Sequence, residues 1–173
     1  MEKKKIFMLA LLLLLLLALV FEFFVFIVRA VSEKQLDDVS PGIPCEQELL
    51  DKSDVFFIIP KFANESIGDY KEWCEKILNS GKKLEMHGVY HTYREFMTKK
   101  NESYLDEGII EFNKCFGEKP AGFKAPQVAL SGENKAMIEK KGLYIYDYWN
   151  QLTHKVYHCN DSGKYPNWLM RII

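Results

Sequence analysis

The distribution of apolar residues changes abruptly near the N-terminus. Residues 6–28 form an almost unbroken apolar run that only Glu22 interrupts. A membrane-spanning helix needs about 20 such residues, and the three lysines at positions 3–5 favour a cytoplasmic N-terminus. We therefore predict that residues 1–31 contain a basic tip and a single-pass transmembrane signal-anchor, and that residues 32–173 form one extracytoplasmic domain.

A cleaved signal peptide is the alternative for this segment, because Val28-Arg29-Ala30 resembles a cleavage site. The apolar core of a signal peptide usually has only about 7–15 residues, so we favour the uncleaved anchor. The domain is exported under both interpretations: it stays attached to the membrane in the first and is secreted in the second.

After residue 32, short apolar runs of β-preferring residues alternate with segments whose apolar residues recur at helical spacing. The predicted strands are the segment around Leu36 and residues 55–60, 83–87, 122–126, 143–148 and 155–158. The predicted helices are residues 66–81, 103–116 and 131–142. Strands that alternate with helices usually pair in parallel through right-handed crossovers.

The number of strands limits the architecture. About six strands are too few for a complete eight-stranded barrel. We therefore predict an α/β fold that forms a small, incomplete or distorted (β/α) barrel, with an open doubly wound sheet as the second choice. Both architectures collect functional residues at the carboxyl ends of their strands.

Charge and cysteine content narrow the possible functions. Residues 1–31 contain four of the 23 basic residues and two of the 24 acidic ones, which leaves 19 basic and 22 acidic residues in the exported domain. Without a basic stripe the domain has no means to neutralise phosphates, so we predict no nucleic-acid partner. The four cysteines contain no Cys-x-x-Cys pair, and in an oxidising compartment they permit two disulfides in any of three pairings.

Polar residues lie at the predicted strand ends. Two adjacent carboxylates, Asp37 and Asp38, precede a Pro-Gly turn, and two imidazoles, His87 and His91, lie four positions apart where a strand becomes a loop. An aspartate and two histidines can bind a divalent metal and leave one coordination position open for water. Lys124, Asp147 and His158 end the later strands.

Three motifs, in this order, resemble the first three motifs of the polysaccharide deacetylase family (the chitooligosaccharide deacetylase-like fold). They are Asp37-Asp38, His87-Gly88-Val89-Tyr90-His91 and Gly122-Phe123-Lys124-Ala125-Pro126. More narrowly, they resemble a poorly characterised branch with DDVSPG and HGxxH forms, and the resemblance covers roughly residues 36–160. It implies a metal-dependent hydrolase that removes acetyl groups from an N-acetylated or O-acetylated glycan at the cell envelope, acting on carbon–nitrogen (amide) bonds.

The resemblance also implies roles for the first two motifs. Asp37 matches the general base, and Asp38, His87 and His91 match the metal ligands. The implied ion is Zn²⁺, with Co²⁺ or Ni²⁺ as alternatives.

The later motifs match the family less closely. Lys124 stands where the family usually has an arginine that tunes the base, although lysine lacks the two parallel donors of a guanidinium. Asp147 matches a residue that supports the site. His158 matches the catalytic acid, with His154 as the alternative.

Two other functions are consistent with the sequence. A membrane-anchored glycan-binding protein could keep the fold without the activity, which the change from arginine to Lys124 would suit. A structural membrane protein is the third possibility, in which these aspartates and histidines are ordinary surface residues.

Overall fold

A computed structural model describes residues 2–161 of the chain. Helix α1, Glu2–Val31, is long and apolar enough to cross a membrane. Length and composition are the only grounds for this assignment, and a signal sequence has the same properties. Almost all of its apolar side chains are exposed, and Val25 is the buried exception among those described.

The part of the chain after α1 is built on a curled sheet of six parallel strands, in the order β7-β6-β5-β2-β1-β8. A short antiparallel pair, β3 and β4, lies outside this sheet. The strands are β1 Gln35–Val39, β2 Val55–Ile58, β3 Lys61–Phe62, β4 Glu65–Ser66, β5 Lys83–His87, β6 Gly122–Lys124, β7 Tyr144–Tyr146 and β8 Val156–His158. Since β7 and β8 form the two edges of the described sheet, the barrel is incomplete, which confirms the predicted fold.

Helices connect the strands of the sheet. They are α2 Gln47–Lys52, α3 Lys71–Leu78, α4 Glu102–Phe116, α5 Gly132–Lys140 and α6 Tyr148–Thr153. Side-chain oxygens of Asn101 and Ser131 accept hydrogen bonds from the first turns of α4 and α5, and Gly117 ends α4 in the left-handed conformation. Short 3-10 turns are Ile67–Asp69, Pro126–Val128 and Cys159–Asp161.

The structure adds helices α2 and α6 and the β3–β4 pair to the predicted elements, and it changes the bounds of several others. Ser66 caps a 3-10 turn instead of the predicted helix, so α3 begins only at Lys71 and ends at Leu78, before Gly81. The predicted strand over residues 143–148 is shorter, because Asp147 caps α6 and draws the backbone out of the sheet.

The two faces of the sheet have different chemistry. The face toward the helices is the main hydrophobic core, to which Phe56, Ile58 and Met86 contribute. Alternate positions of the same strands point inward, and several of these are buried polar side chains. The buried polar side chains on the inner face are Gln35, Asp37, Glu85, His87 and Lys124.

Two disulfides settle the pairing that the sequence left open. Cys74–Cys115 joins α3 to α4, and Cys45–Cys159 joins the loop after β1 to the turn after β8. The second bond closes a loop of 114 residues. A cross-link that closes a 100-residue loop can stabilise the folded protein by about 4.7 kcal/mol, because it restricts the conformations of the unfolded chain.

Candidate metal and acid–base site

Strand β1 delivers two neighbouring carboxylates to one pocket. In a regular strand, Asp37 and Asp38 would point to opposite faces. The register with β2 shifts between Leu36 and Val39, and Asp38 has a φ of 65°. This irregularity acts as a β-bulge, which redirects side chains, and it leaves Asp37 and Asp38 only 3% and 2% exposed in the same pocket.

Asp38 meets both predicted histidine ligands. Its Oδ1 lies 2.8 Å from Nε2 of His91 and 3.5 Å from Nε2 of His87. Ligand atoms of the three residues all lie within 4.8 Å of one another. Burial raises the pKa of Asp38, but the two imidazoles more than offset this and hold the pKa well below its usual range.

The donor set fits a divalent cation. Asp38 Oδ1 is buried and accepts no well-oriented hydrogen bond from any described residue, although two ring nitrogens approach it. Buried carboxylate oxygens are normally hydrogen-bonded. A carboxylate oxygen and two imidazole nitrogens are typical ligands of Zn²⁺, with bonds of about 2.0–2.2 Å.

His87 is oriented by the neighbouring strand. Its Nδ1 lies 3.0 Å from the carbonyl oxygen of Lys124. A carbonyl only accepts, so Nδ1 donates its hydrogen there and the lone pair of Nε2 faces Asp38. The ring of Phe57 packs edge-on against the imidazole at 6.2 Å. His87 therefore has the tautomer and orientation that a metal ligand needs.

His91 is held by a buried carboxylate that sequence reasoning missed. Glu95 accepts hydrogen bonds from the backbone N–H groups of Val89, Tyr90 and His91. The hydroxyl of Tyr104 also donates to it, at 2.6 Å. Burial lowers the pKa of His91, and contact with Asp38 more than reverses this, so that the pKa is raised.

Asp37 forms a buried ion pair with Lys124. The ammonium Nζ lies 2.9 Å from Oδ1 and 2.8 Å from Oδ2 of Asp37. It also donates to Gln35 Oε1 at 3.1 Å and lies 4.8 Å from the centre of the Phe57 ring. Lys124 is completely buried. One ammonium thus contacts both oxygens of the carboxylate, although it lacks the two parallel donors of a guanidinium.

The structure distinguishes between the two candidate histidines for the catalytic acid. His158 lines the pocket, with Nε2 3.7 Å from Asp37 Oδ2. His154 instead follows α6, where its Nδ1 lies 3.0 Å from the carbonyl oxygen of Asn150 and 3.1 Å from Thr153 Oγ1. Of the two, His158 is the one brought to Asp37.

Asp147 is not brought to the same pocket in the described part of the chain. Its carboxylate caps α6 by accepting from the N–H groups of Trp149 and Asn150, while the Asn150 side chain accepts from the Asp147 N–H. The residue is exposed and lines a smaller neighbouring pocket. In the described part of the chain, these hydrogen bonds tie Asp147 to α6 and not to the other predicted site residues, so its supporting role stays a prediction.

The pocket around these groups has a volume of about 340 Å³. Gln127, Tyr148, Gln151 and Asn160 also line it, and the sequence motifs did not identify them. Gln127 adopts a φ of 54° in the turn after β6. These side chains surround the acid–base groups with polar atoms that a sugar hydroxyl or amide could contact.

Sequence comparison gives limited similarity. No family model matches the chain. A peptidoglycan deacetylase-like protein of Gibberella zeae is 28% identical over 72 residues, which cover 41% of this chain and 21% of that protein. The chain therefore corresponds to about one fifth of the curated relative that it matches.

Solved structures with the same fold are polysaccharide deacetylases and related proteins. A family 4 carbohydrate esterase from Streptomyces lividans, in complex with acetate, matches 81% of this chain and 82% of its own at 14% identity, with a TM-score of 0.54. A peptidoglycan N-acetylglucosamine deacetylase matches 73% of this chain and 69% of its own at 17% identity, with a TM-score of 0.50. A CE4 family pseudoenzyme from Bacillus anthracis matches 68% of this chain and 48% of its own at 11% identity, with a TM-score of 0.52.

The fold is that of the polysaccharide deacetylases, as the motifs predicted. The narrower resemblance to the DDVSPG and HGxxH branch stays a prediction.

Proposed function

We propose that this chain is a metal-dependent hydrolase that removes acetyl groups from an N-acetylated or O-acetylated glycan at the cell envelope. The observation that supports this most strongly is the convergence of Asp38, His87 and His91 beside the Asp37–Lys124 pair and His158. The deacetylases among the solved structures of the same fold support the reaction class.

Asp38, His87 and His91 would hold the ion, with Zn²⁺ as the first choice and Co²⁺ or Ni²⁺ as alternatives. A divalent ion bound there would polarise the acyl oxygen and lower the pKa of an attacking water. The remaining chemistry belongs to the side chains around it.

Asp37 is the proposed general base. Its carboxylate is buried next to the ligand set, with Oδ2 4.0 Å from His87 Nε2. The Lys124 ammonium contacts both carboxylate oxygens and fixes their position beside the ligand set, where a general base must lie to accept a proton. In this role Lys124 would replace the arginine expected from the resemblance.

His158 is the proposed general acid. It lies on the same side of the pocket as Asp37, on the neighbouring strand β8, and its side chain is 38% exposed. Half-exposure allows it to exchange protons with solvent and to donate one to the departing amine or hydroxyl. Acetate and the deacetylated sugar are the products.

Helix α1 is the proposed membrane anchor. Its exposed apolar surface would lie in lipid, and the three lysines in its first turn would stay in the cytoplasm. The catalytic domain would then lie close to the extracytoplasmic surface of that membrane, where envelope glycans are found. A cleaved signal peptide would give the same domain in secreted form.

A glycan-binding protein without catalytic activity is the second candidate. A CE4 family pseudoenzyme shares the fold, and Lys124 departs from the arginine of the motif. The buried Asp37–Lys124 pair favours the enzyme, because it holds the proposed base in a fixed position beside the ligand set.

Acetate release separates the two candidates. The full chain, solubilised in detergent, is incubated with N-acetylated chitooligosaccharides and with O-acetylated xylan, with and without a chelator. We expect acetate release that the chelator stops and added Zn²⁺ restores.

Asp37→Asn should retain bound metal and lose about 10²–10⁴-fold in rate, the usual contribution of general acid–base catalysis. Tight glycan binding with no release would favour the binding protein, and full activity of Asp37→Asn would reject the assignment of the base.

A further inference from the structure

We propose that Glu95 is a positioning residue of the metal site: its carboxylate holds the 87–91 loop in the conformation that brings both imidazoles to Asp38. This inference rests on the proposed function, because it assigns Glu95 to the same metal site. Glu95 is not a member of the ligand cluster of Asp38, His87 and His91, and it would act through the backbone of the loop.

The contacts of Glu95 are unusual in number. Its oxygens accept from Val89 N at 3.1 and 3.2 Å, from Tyr90 N at 2.9 Å and from His91 N at 3.1 Å. Tyr104 Oη donates to the same carboxylate at 2.6 Å. Three successive amides that converge in this way form an anion-binding concavity, and here a side chain of the same loop fills it.

The loop needs such a partner because of its backbone. Gly88 has a φ of 63° and His91 has a φ of 57°. The left-handed conformation is unfavourable for a residue with a side chain such as His91, and it persists only where the surroundings enforce it. A side chain at position 88 would also collide with the Glu95 carboxylate and with Pro126. The ligand loop is therefore shaped around this carboxylate.

Glu95 also connects the loop to a rigid element. Tyr104 lies in the first turn of α4, and its ring packs 6.0 Å from the ring of Phe96. Contact with Glu95 and burial both raise the pKa of Tyr104, with burial as the larger cause, so its hydroxyl stays protonated as a donor. A second link joins Tyr90 Oη to Glu107 of the same helix at 2.7 Å.

The negative charge and the two oxygens explain why glutamate stands here. A carboxylate offers about four acceptor sites and no donor. Glutamine has nearly the same shape, but its NH₂ group would face backbone N–H groups that also donate. Glu95→Gln therefore removes the support of the loop without leaving a cavity.

Glu85 provides a matched control. It is as buried as Glu95 and also accepts from a backbone N–H, that of Gly122. It lies in β5, and it contacts Gly122 of β6 and Lys83 instead of the amides of the 87–91 loop. Glu85→Gln tests the effect of neutralising a buried carboxylate on the same side of the domain.

The experiment measures the Zn²⁺ dissociation constant of the full chain in detergent, by competition with a chromophoric chelator. Changes in groups that orient metal ligands typically weaken metal affinity by about 10–100-fold, and we expect this loss for Glu95→Gln. Glu85→Gln should stay within about threefold of the wild type. The Co²⁺ absorption spectrum should change in Glu95→Gln and stay constant in Glu85→Gln.

Different outcomes reject different claims. If the wild type binds Zn²⁺, His87→Ala loses it, and Glu95→Gln binds as tightly as the wild type, then the positioning role is wrong and the metal site stands. If His87→Ala and the wild type behave alike, the metal site is wrong, and the role of Glu95 falls with it. Should Glu95→Gln fail to fold by circular dichroism, Tyr104→Phe decides the question. It removes only the fourth hydrogen bond, and an unchanged Zn²⁺ affinity in that variant would overturn the proposal.

Discussion

Asp38 and Asp147 both follow a parallel strand at its carboxyl end, and the sequence motifs assigned both to the site. Asp38 sits in the irregular end of β1, where its Oδ1 receives no well-oriented hydrogen bond from the described residues and faces two imidazoles. Asp147 begins α6, and two amides of that helix satisfy its carboxylate. The difference shows that position at a strand end is not enough: a carboxylate is available for a ligand only where the adjacent backbone offers it no donors.

The largest effect on metal binding is expected when the Asp38 side of this comparison is changed from aspartate to asparagine. Asp38→Asn removes the charged ligand between His87 and His91. Zinc binding free energies of about 10–16 kcal/mol, shared among four ligands, correspond to roughly 100–1,000-fold in affinity per ligand. We expect a loss of this size in a chelator competition assay. Asp147→Asn is the control, since asparagine caps helices as well as aspartate does, and an equal loss in both variants would contradict the comparison.

A second prediction concerns the buried partner of Asp37. Lys124→Met leaves the Asp37 carboxylate buried without its cation, and breaking a buried ion pair costs about 3–5 kcal/mol. Urea denaturation should show this decrease in the free energy of unfolding. The double variant Asp37→Asn with Lys124→Met should be less destabilised than Lys124→Met alone, because no unpaired charge remains. Simple additivity would mean that the pair contributes little.

Glu85 extends the comparison to a third carboxylate, which is buried and has a backbone donor but lies outside the ligand set. Burial raises its pKa, against the effects of the Gly122 N–H and Lys83. Since the folded protein then binds this proton more tightly than the unfolded chain does, the contribution of Glu85 to stability is greatest at low pH and is lost as pH rises through the folded pKa. The stability of the wild type relative to Glu85→Gln should therefore fall as the pH rises from below the ordinary pKa of glutamate, about 4.3, toward neutrality. Thermal or urea unfolding across this range measures it, and a constant difference would contradict the raised pKa.

The smallest effect is expected for removal of the α6 cap. Asp147→Ala deletes the acceptor of two N–H groups, and loss of a helix N-cap typically costs about 1 kcal/mol. Urea unfolding should show this decrease, while the Zn²⁺ affinity of the variant stays at the wild-type value. A loss of Zn²⁺ affinity in this variant would mean that Asp147 does support the metal site.

The strand–helix alternation and most element positions followed from the sequence. Apolar runs such as residues 55–58 and caps such as Asn101 carry local signals, and local signals are what a single sequence contains. The motif spacing also identified the three side chains that converge at Asp38. Asp38 and His87 lie at the carboxyl ends of strands in a parallel sheet and His91 follows in the next loop, so the topology brings them to the same edge of the sheet.

The parts that were missed depend on backbone conformation or on pairs distant in sequence. Nothing in Asp37-Asp38 indicates the positive φ of Asp38 that turns both carboxylates into one pocket. Glu95 looks like an ordinary loop glutamate until the amides of residues 89–91 surround it. The contact between Lys124 and Asp37, 87 positions apart, was expected only through the family resemblance, and the pairing of the cysteines was left open by the sequence.

The bond between Cys45 and Cys159 links redox conditions to the order in which the pocket is completed. Cys159 directly follows His158, so the cross-link secures the last strand, with the proposed proton donor, against the segment that leaves β1. Thiols remain reduced in the cytosol and are oxidised outside it. For an exported protein, as proposed here, the position of His158 would therefore be fixed only after translocation, once the segment after β1 and the turn after β8 have met in an oxidising environment.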